Sequence, residues 1–322
     1  MPRLPSGTTL RRDLSTVAYE YMSEASQRGF IGLSILPIKD VNDQSANYPV
    51  IPIEAMINLP NTKRAARGDY NRSDYKFETG TYACEEYGWE ELIDDAERNL
   101  YANDIDADEI ATMRSVDILL RNQEARIAAA VFNTGNITQT AGVGTEWSTA
   151  ASCTPRVNVF TAKEAMRLAS GLVPNIGVCS SVVFKNLMFA AEIMDAFKYT
   201  NPVEIGGEEA QRRLLAQYFG LEEVLAGGAI KDGAKKGQSY SVSDIWDDEY
   251  FGLFKVPRGG VQDMKEPVLG RTFLWTGDSP QNLTTESYRE EQRRSDVIRV
   301  RHNVDEAFVF TGAGYLLSNI TA

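Results

Sequence analysis

The sequence predicts an α+β protein whose parts are arranged around one long helix. Three observations carry this prediction. Helical periodicity runs without a break from Asp106 to Phe132, two extended segments within 45–82 flank a polar tip, and short helices alternate with strands after residue 155. A chain of 322 residues can form two domains or one large one.

Composition excludes several classes of protein. Hydrophobic residues make up 43% of the chain and charged residues 24%, as in ordinary globular proteins. A formal net charge of -12 opposes attraction of the whole protein to nucleic acid or to anionic membranes. No apolar run reaches the ~20 residues that cross a bilayer. The three cysteines are widely spaced, which favours reduced thiols over a disulfide framework.

Residues 1–29 are predicted to form an arm that precedes the first strand, at Phe30–Pro37. Such an arm has little surface to bury on its own. We therefore expect it to lie against something else, such as another subunit.

Residues 45–82 are predicted to form a long protruding hairpin. Two prolines, Pro49 and Pro52, keep its first segment extended. Its second segment, Tyr75–Cys84, alternates aromatic and polar side chains as a strand does. An isolated hairpin of this length is costly in entropy unless its tip packs on a partner.

The sign of the charge changes abruptly after the hairpin. The basic tip carries Lys63, Arg64, Arg67, Arg72 and Lys76, and the acidic shoulder that follows carries Glu85, Glu86, Glu90, Glu91, Asp94 and Asp95. One interpretation is a solvated acidic face that leads into a helix N-terminus, where acids are favoured. The other is that the basic tip of one copy docks on the acidic shoulder of its neighbour. The charges leave both open.

The long helix is predicted over 106–133. Asp106 is a suitable N-cap, with Glu109 three residues later, and Asn133-Thr134-Gly135 supplies a stop signal. At 1.5 Å per residue such a helix is roughly 40 Å long.

The chain after residue 155 predicts an α/β portion. We expect three helices: one from Thr161 to Leu172, one capped by Ser180 and Ser181, and one at Glu208–Phe219. We expect strands at Ile176–Cys179, Leu221–Leu225, Tyr250–Val256, Leu269–Trp275 and Asp296–Arg301. A flexible loop is expected at Gly227–Gln238, and a turn at Val304–Glu306 leads into a closing hairpin.

Motifs for catalysis are weak throughout. The chain has one histidine, His302, which argues against schemes with two imidazoles and against a zinc site. Gly177–Ser181 lacks the second glycine of a nucleophile elbow, and Gly233–Gly237 lacks the spacing of a phosphate loop. The pairs Glu90/Glu91 and Asp94/Asp95 lie in a generally acidic run. We therefore predict no catalytic, cofactor-binding or metal-binding residues, and no enzyme.

Short stretches and the order of elements resemble the major capsid proteins of tailed bacteriophages, which have the HK-ninety-seven fold. The stretches are Gly88-Trp89-Glu90-Glu91 before the long helix, Arg121–Ala125 within it, Phe132–Gly135 closing it, Pro174-Asn175, Phe219-Gly220-Leu221, and Gly314–Leu317 near the end. The resemblance covers essentially the whole chain and rests on the order of these pieces.

The resemblance implies a division of the chain into an arm, 1–29; a peripheral domain, 30–154, with the extended loop 45–82 and spine helix 106–133; an axial domain, 155–265; and return strands, 266–322. It implies pentamers and hexamers that tile an icosahedral shell around double-stranded DNA, in a virion assembled in the host cytoplasm. Because the strand predicted at Phe30 begins early, we expect no internal scaffolding segment, so scaffolding is a separate protein or absent. Portal and decoration proteins are further expected partners, and no crosslink is predicted. The alternatives are an encapsulin-like compartment and a soluble α/β enzyme.

Overall fold

A computed structural model describes residues 9–23, 29–50, 52, 57–64, 66–72, 78–101, 106–198, 207–235, 237–258, 264, 266–278 and 282–321. Its helices are α1 (Arg12–Ser23), α2 (Gly32–Ile35), α3 (Asp95–Tyr101), α4 (Ala107–Val131), α5 (Pro155–Ser170), α6 (Ser181–Phe189), α7 (Ala191–Phe197) and α8 (Glu208–Phe219). A short 3-10 turn covers Thr311–Ala313.

The strands, in chain order, are β1 (Thr9–Leu10), β2 (Ile38–Val41), β3 (Ser45–Val50), β4 (Glu78–Ala83), β5 (Glu85–Asp94), β6 (Thr140–Gly142), β7 (Ile176–Ser180), β8 (Glu223–Gly227), β9 (Ile230–Asp232), β10 (Val242–Asp244), β11 (Phe251–Phe254), β12 (Gly270–Trp275), β13 (Thr284–Glu290), β14 (Ser295–Phe308) and β15 (Gly314–Ser318).

The long strand β14 is the centre of a six-stranded sheet in the described chain. It pairs with β13 over Ser295–Arg301 and with β12 from Val304 onward, and β5 runs antiparallel along its other edge. Helix α4 packs across this sheet: Val116, Leu119 and Leu120 form a cluster with Val300, and Ala111 forms one with Ile298. Its N-cap is Asp106, whose carboxylate accepts hydrogen bonds from the amides of Asp108 and Glu109. The predicted long helix is confirmed.

A second sheet, with strand order β6-β15-β11-β7-β8, forms the core of the α/β portion. Its two faces bury different neighbours. Phe251 contacts Phe219 of α8 on one face, while the next residue, Gly252, lies against Phe132 at the end of α4 on the other. Parallel strands β7 and β8 are joined through α6, α7 and α8, as in a crossover connection.

The predicted hairpin is formed by β3 and β4, which pair antiparallel from Ser45↔Ala83 to Val50↔Glu78. Tyr82 stacks on Phe273 of β12 with ring centroids 4.5 Å apart, and Tyr48 lies 5.3 Å from the same ring. The base of the hairpin is therefore packed on the six-stranded sheet.

The described part of the arm lies against its own chain. Strand β1 pairs with β13, and α1 packs on α4, with Ala18 joining the Val116–Leu120 cluster. Leu14 and Ala18 are thus buried within the subunit, whereas Leu10 and Tyr19 remain 41% and 61% exposed.

Three sequence predictions are wrong. The run 30–37 contains helix α2, because the buried carboxylate of Glu124 accepts hydrogen bonds from the amides of Ile31 and Gly32 and so begins a helical turn there. Helix α5 begins at Pro155 instead of at Thr161, and the proline occupies the first turn of the helix. The expected turn at 304–306 is continuous strand, since Asp305 accepts a bond from the amide of Ala83 and Glu306 pairs with Arg126.

Smaller differences concern the segment after α8. The strand expected at Leu221–Leu225 is displaced by two residues to Glu223–Gly227, and the expected loop contains β9, which pairs with β10. The predicted helix Glu208–Phe219 and the strand at Leu269–Trp275 are confirmed within a residue. Among the described helices, none is both long and apolar enough to cross a membrane.

Candidate inter-subunit contact surface

The tip of the hairpin has an organised local structure. Arg64 places its guanidinium 4.7 Å from the centroid of the Tyr70 ring and donates a hydrogen bond of 2.6 Å to the carbonyl of Gly68. Asn71 donates to the carbonyl of Asn61, 2.6 Å away, which joins the two sides of the tip. The backbone of Arg67 adopts a left-handed conformation, with φ of 65°. The basic side chains are therefore held on a folded tip.

Lys63, Arg64, Arg67 and Arg72 are all exposed, and Lys76 lies outside the described residues. The tip also presents apolar surface: Leu59 is 95% exposed, and Ile57 and Tyr70 are largely exposed as well. Burial of these side chains against a partner would remove apolar surface from water and so favour association.

The acidic shoulder occupies β5 and the start of α3. Four of its carboxylates form ion pairs within the chain: Glu86 with Arg301 at 3.7 Å, Glu90 with Arg299 at 2.5 Å, Glu91 with Arg114 at 3.2 Å, and Asp95 with Arg289 at 2.6 Å. Glu85 accepts a hydrogen bond from the Tyr87 hydroxyl, and Asp94 accepts one from the amide of Ala96. The hydrogen bond from Arg289 lowers the pKa of Asp95 below its ordinary value.

Sequence reasoning missed these arginine partners. Arg299 and Arg301 alternate along β14 and face β5, where Glu90 and Gly88 are their register partners. The sequence shows that these two arginines alternate along one strand, but it does not show which strand lies opposite them. The shoulder is therefore much less negative than its composition indicates.

An open groove of about 430 Å³ follows the outer face of this strand pair. It is lined by Glu86, Gly88, Trp89, Glu90, Arg299 and Arg301. Gly88 gives the groove its depth, because a Cβ there would stand 3.1 Å from the Cβ of Arg301. The groove carries both signs of charge, so an entering chain would need polar groups of both kinds.

The side chain of Glu124 joins α4 to the α/β portion. Buried to 3% exposure, it accepts hydrogen bonds of 2.8 Å from the amides of Ile31 and Gly32 and from the indole of Trp246. Burial raises the pKa of Glu124, although the three donors oppose that shift. No sequence signal marked this residue, because its partners lie about 93 and 122 positions away.

Ser180 and His302, which lie in the weak catalytic motifs of the sequence, both have surroundings that fit a role in the fold. Ser180 caps α6 by accepting a bond from the amide of Val183, and it donates to Asp248 at 2.5 Å. His302 is buried in β14 with neither ring nitrogen hydrogen-bonded within the described chain, and burial lowers its pKa to about 3. Across the described residues, no group of three or more histidine, cysteine, aspartate or glutamate side chains is arranged to hold a metal ion.

Solved structures with the same fold include a phage-related protein from Bordetella bronchiseptica RB50, with 22% identity and a TM-score of 0.69 over 98% of this chain and 99% of that one. The capsid of the cyanophage P-SCSP1u matches with 9% identity and a TM-score of 0.56, covering 88% of this chain and 86% of that one. A virus-like particle from Pyrococcus furiosus matches with 10% identity and a TM-score of 0.56, covering 96% and 100%.

These likenesses extend over nearly the whole chain, so the predicted capsid-protein fold is confirmed. No protein-family model matches the sequence, and none of the curated proteins does.

Proposed function

We propose that this protein is the major capsid protein of a tailed bacteriophage and forms a closed icosahedral shell. The observation that supports this most directly is the fold shared with the Bordetella phage-related protein over 98% of the chain. A protruding hairpin with an exposed apolar and basic tip adds to it, because the exposed apolar surface of such a tip is stabilised when another molecule covers it.

In this proposal the subunits form pentamers and hexamers, and each extended loop rests on a neighbouring subunit. The basic tip is the surface that each subunit inserts into its neighbour. It carries Lys63, Arg64, Arg67, Arg72 and Lys76. The acidic shoulder is its receiving surface, through the groove beside Glu86 and Glu90. Because those carboxylates already have arginine partners, the tip would enter a mixed-charge groove, and its apolar residues would supply much of the contact energy.

The remaining proposals follow from the same assembly. The domain division 1–29, 30–154, 155–265 and 266–322 describes its arm, peripheral domain, axial domain and return strands. The shell would enclose double-stranded DNA in a virion assembled in the host cytoplasm, with non-specific DNA contact. A net charge of -12 suits a wall that does not bind DNA tightly. Separate scaffolding, portal and decoration proteins would be its partners.

The virus-like particle among the structural neighbours favours one second candidate, a compartment shell without DNA. Negative-stain electron microscopy and size-exclusion chromatography test both, on the protein expressed alone and beside its genomic neighbours. We expect closed shells, or rings of five and six subunits. Shells that hold nuclease-protected DNA after phage production would support the capsid, whereas shells filled with a protein cargo would support the compartment. A small oligomer in every preparation would contradict both.

A further inference from the structure

Helix α5 presents an unusual amount of apolar surface to solvent. Val157, Phe160 and Leu168 are 58%, 45% and 69% exposed, although the helix already buries Val159, Ala162 and Met166 on its other side. Phe160 follows Val157 by three residues and Leu168 follows it by eleven, and these spacings place all three on one face of a helix. Three large side chains aligned in this way mark a contact surface more strongly than single exposed residues do.

Basic side chains lie along one edge of this α5 face, where the carboxylate of Glu192 also accepts a hydrogen bond from the amide of Arg156 at 3.3 Å. Arg156 and Lys163 stand on either side of Phe160, with their charged groups 5.6 and 5.2 Å from its ring centroid. Arg167 is balanced by Glu164, which it contacts at 2.5 Å. The α5 face therefore suits a partner that is apolar and acidic.

The hairpin of β9 and β10 has the complementary character. Its register places Ile230 opposite Asp244 and Val242 opposite Asp232, so all four side chains share one hairpin face. Ile230 and Val242 are 42% and 46% exposed. Neither Asp232 nor Asp244 forms an ion pair within the described chain, where Asp232 instead accepts bonds from the amides of Ala234 and Ser241. A two-stranded hairpin is only marginally stable without packing on one face.

These two surfaces lie on opposite sides of the five-stranded sheet. Helix α5 packs with α8, since Lys163 of α5 donates hydrogen bonds to the carbonyls of Phe219 and Gly220 at the C-terminal end of α8. The segment after β10 lies on the other side, where Trp246 covers Gly227 and contacts Phe132 at 5.1 Å between centroids. The amide of Ile245 bonds to the carbonyl of Ala229, which holds the hairpin to the same side.

We propose that the α5 face of one subunit binds the β9–β10 hairpin face of a second copy of this chain. Two different patches on opposite sides of one domain form a head-to-tail contact, and repeated head-to-tail contacts close into rings when the rotation permits. The two hairpin aspartates then lie beside Arg156 and Lys163, and five apolar side chains leave water. This inference rests on the proposed assembly and names a ring-forming contact within it that is separate from the extended loop.

A crosslinking experiment tests the pairing directly. The variant Leu168→Cys/Val242→Cys carries one new thiol on each face, while the native cysteines are buried. A short flexible bismaleimide should join neighbouring subunits into a covalent ladder that ends at the ring size. Each single-cysteine variant is the control and should give no ladder, because like positions do not meet in a head-to-tail contact.

Charge substitutions provide an independent test. Leu168→Asp should weaken ring formation roughly tenfold or more, since it introduces a desolvated carboxylate into an apolar contact. Ala169→Asp, at the exposed neighbouring position, is its matched control and should assemble normally. Val242→Lys should weaken assembly in the same way, with Ser243→Lys as control, and the double variant Leu168→Asp/Val242→Lys should recover part of the loss. Thermal unfolding of each subunit checks that its fold is retained.

The outcomes separate this contact from the proposed function. Failure of the unmodified protein to form rings or shells would contradict the assembly itself. Normal assembly of Leu168→Asp and Val242→Lys, with no ladder from the double-cysteine variant, would overturn only this contact. Loss of assembly in Leu168→Asp without crosslinking to position 242 would overturn the hairpin as the occupant of the α5 face.

Discussion

Gly32 leaves the space that the buried carboxylate of Glu124 needs. A Cβ at this position would lie 2.6 Å from Oε2 of Glu124 and 2.9 Å from Cδ1 of Ile127. Both neighbours are held in place, Glu124 by three hydrogen bonds and Ile127 by the core. Gly32→Ala should therefore lower the free energy of unfolding by about 1–3 kcal/mol, as overpacking usually does.

Urea unfolding followed by tryptophan fluorescence would measure this loss. Gly144→Ala is the matched control, because a Cβ there meets no atom within 4 Å. Equal stability of the two variants would contradict the account of the Glu124 joint.

The buried imidazole of His302 should make the folded protein less stable in acid. Its imidazole is fully buried, with Tyr87 edge-on to it and the guanidinium of Arg126 stacked 3.7 Å from the centroid of Tyr87. Burial and the nearby Arg126 lower its pKa from an ordinary value of 6.5 to about 3. Between these values the unfolded chain binds a proton that the folded chain does not, so stability falls as the pH decreases from about 6.5 toward 3.

The variant His302→Phe isolates this effect, since the other titrating groups remain in both proteins. The difference in free energy of unfolding, variant minus unmodified protein, should grow by about 1.4 kcal/mol for each pH unit as the pH falls from about 6 to about 4. Glu124, whose pKa is raised, acts with the opposite sign but cancels in the difference. Parallel pH profiles for the two proteins would rule out this role for His302.

Within strand β14, two neighbouring arginines differ in what they stabilise. Arg301 is nearly buried and contacts the fully buried Glu286 at 2.8 Å, as well as Asp278. Arg299 is more exposed and pairs mainly with Glu90. Arg301→Met would leave Glu286 without its main counter-ion and should cost about 3–5 kcal/mol, whereas Arg299→Met should cost less than about 1 kcal/mol.

Chemical denaturation of both variants in parallel tests this contrast, because the substitutions are identical and lie two residues apart. Similar losses in free energy of unfolding would mean that another group neutralises Glu286. In that case, adding Glu286→Gln to the Arg301→Met variant would restore no stability.

Elements defined by local signals were predictable from the sequence, and elements defined by distant partners were not. Helix α4 combines a capping aspartate, an uninterrupted periodicity and a clear stop, so it was found almost to the residue. Strand β14 was divided at Asp305 because its charged residues suggest a turn, whereas Ala83 and Arg126 satisfy them across the fold. The sequence predicts a strand where helix α2 lies, because Glu124, which accepts hydrogen bonds from the first amides of the helix, is remote in sequence.

The same distinction applies to the candidate surface. The basic tip was predictable because its cations lie in one short stretch of sequence, and those that the structure describes are exposed. The acidic shoulder was recognised only by composition, and its pairing with Arg114, Arg289, Arg299 and Arg301 depends on strand register and helix packing. Sequence therefore overestimated the charge available to a neighbouring subunit.

For the whole molecule, this partial neutralisation predicts how assembly responds to salt. The tip offers exposed cations and the 95% exposed Leu59, and the shoulder offers carboxylates that already have partners. We expect Arg64→Glu/Arg67→Glu to weaken assembly while the subunit stays folded, with a defect that shrinks as salt rises, because charges are screened beyond about 10 Å at 0.1 M. Leu59→Ser should also weaken assembly, with a defect that salt does not reduce, because apolar burial is not screened.

Sedimentation velocity across a salt series measures both defects on the same subunits. Arg213→Glu/Arg293→Glu makes the same charge change at exposed positions outside the tip and should assemble normally at every salt concentration. If the arginine reversal leaves shells intact at low salt, the tip does not dock through charge. If Leu59→Ser alone abolishes them, the extended loop is held chiefly by its apolar residues, as the internal pairing of the shoulder implies.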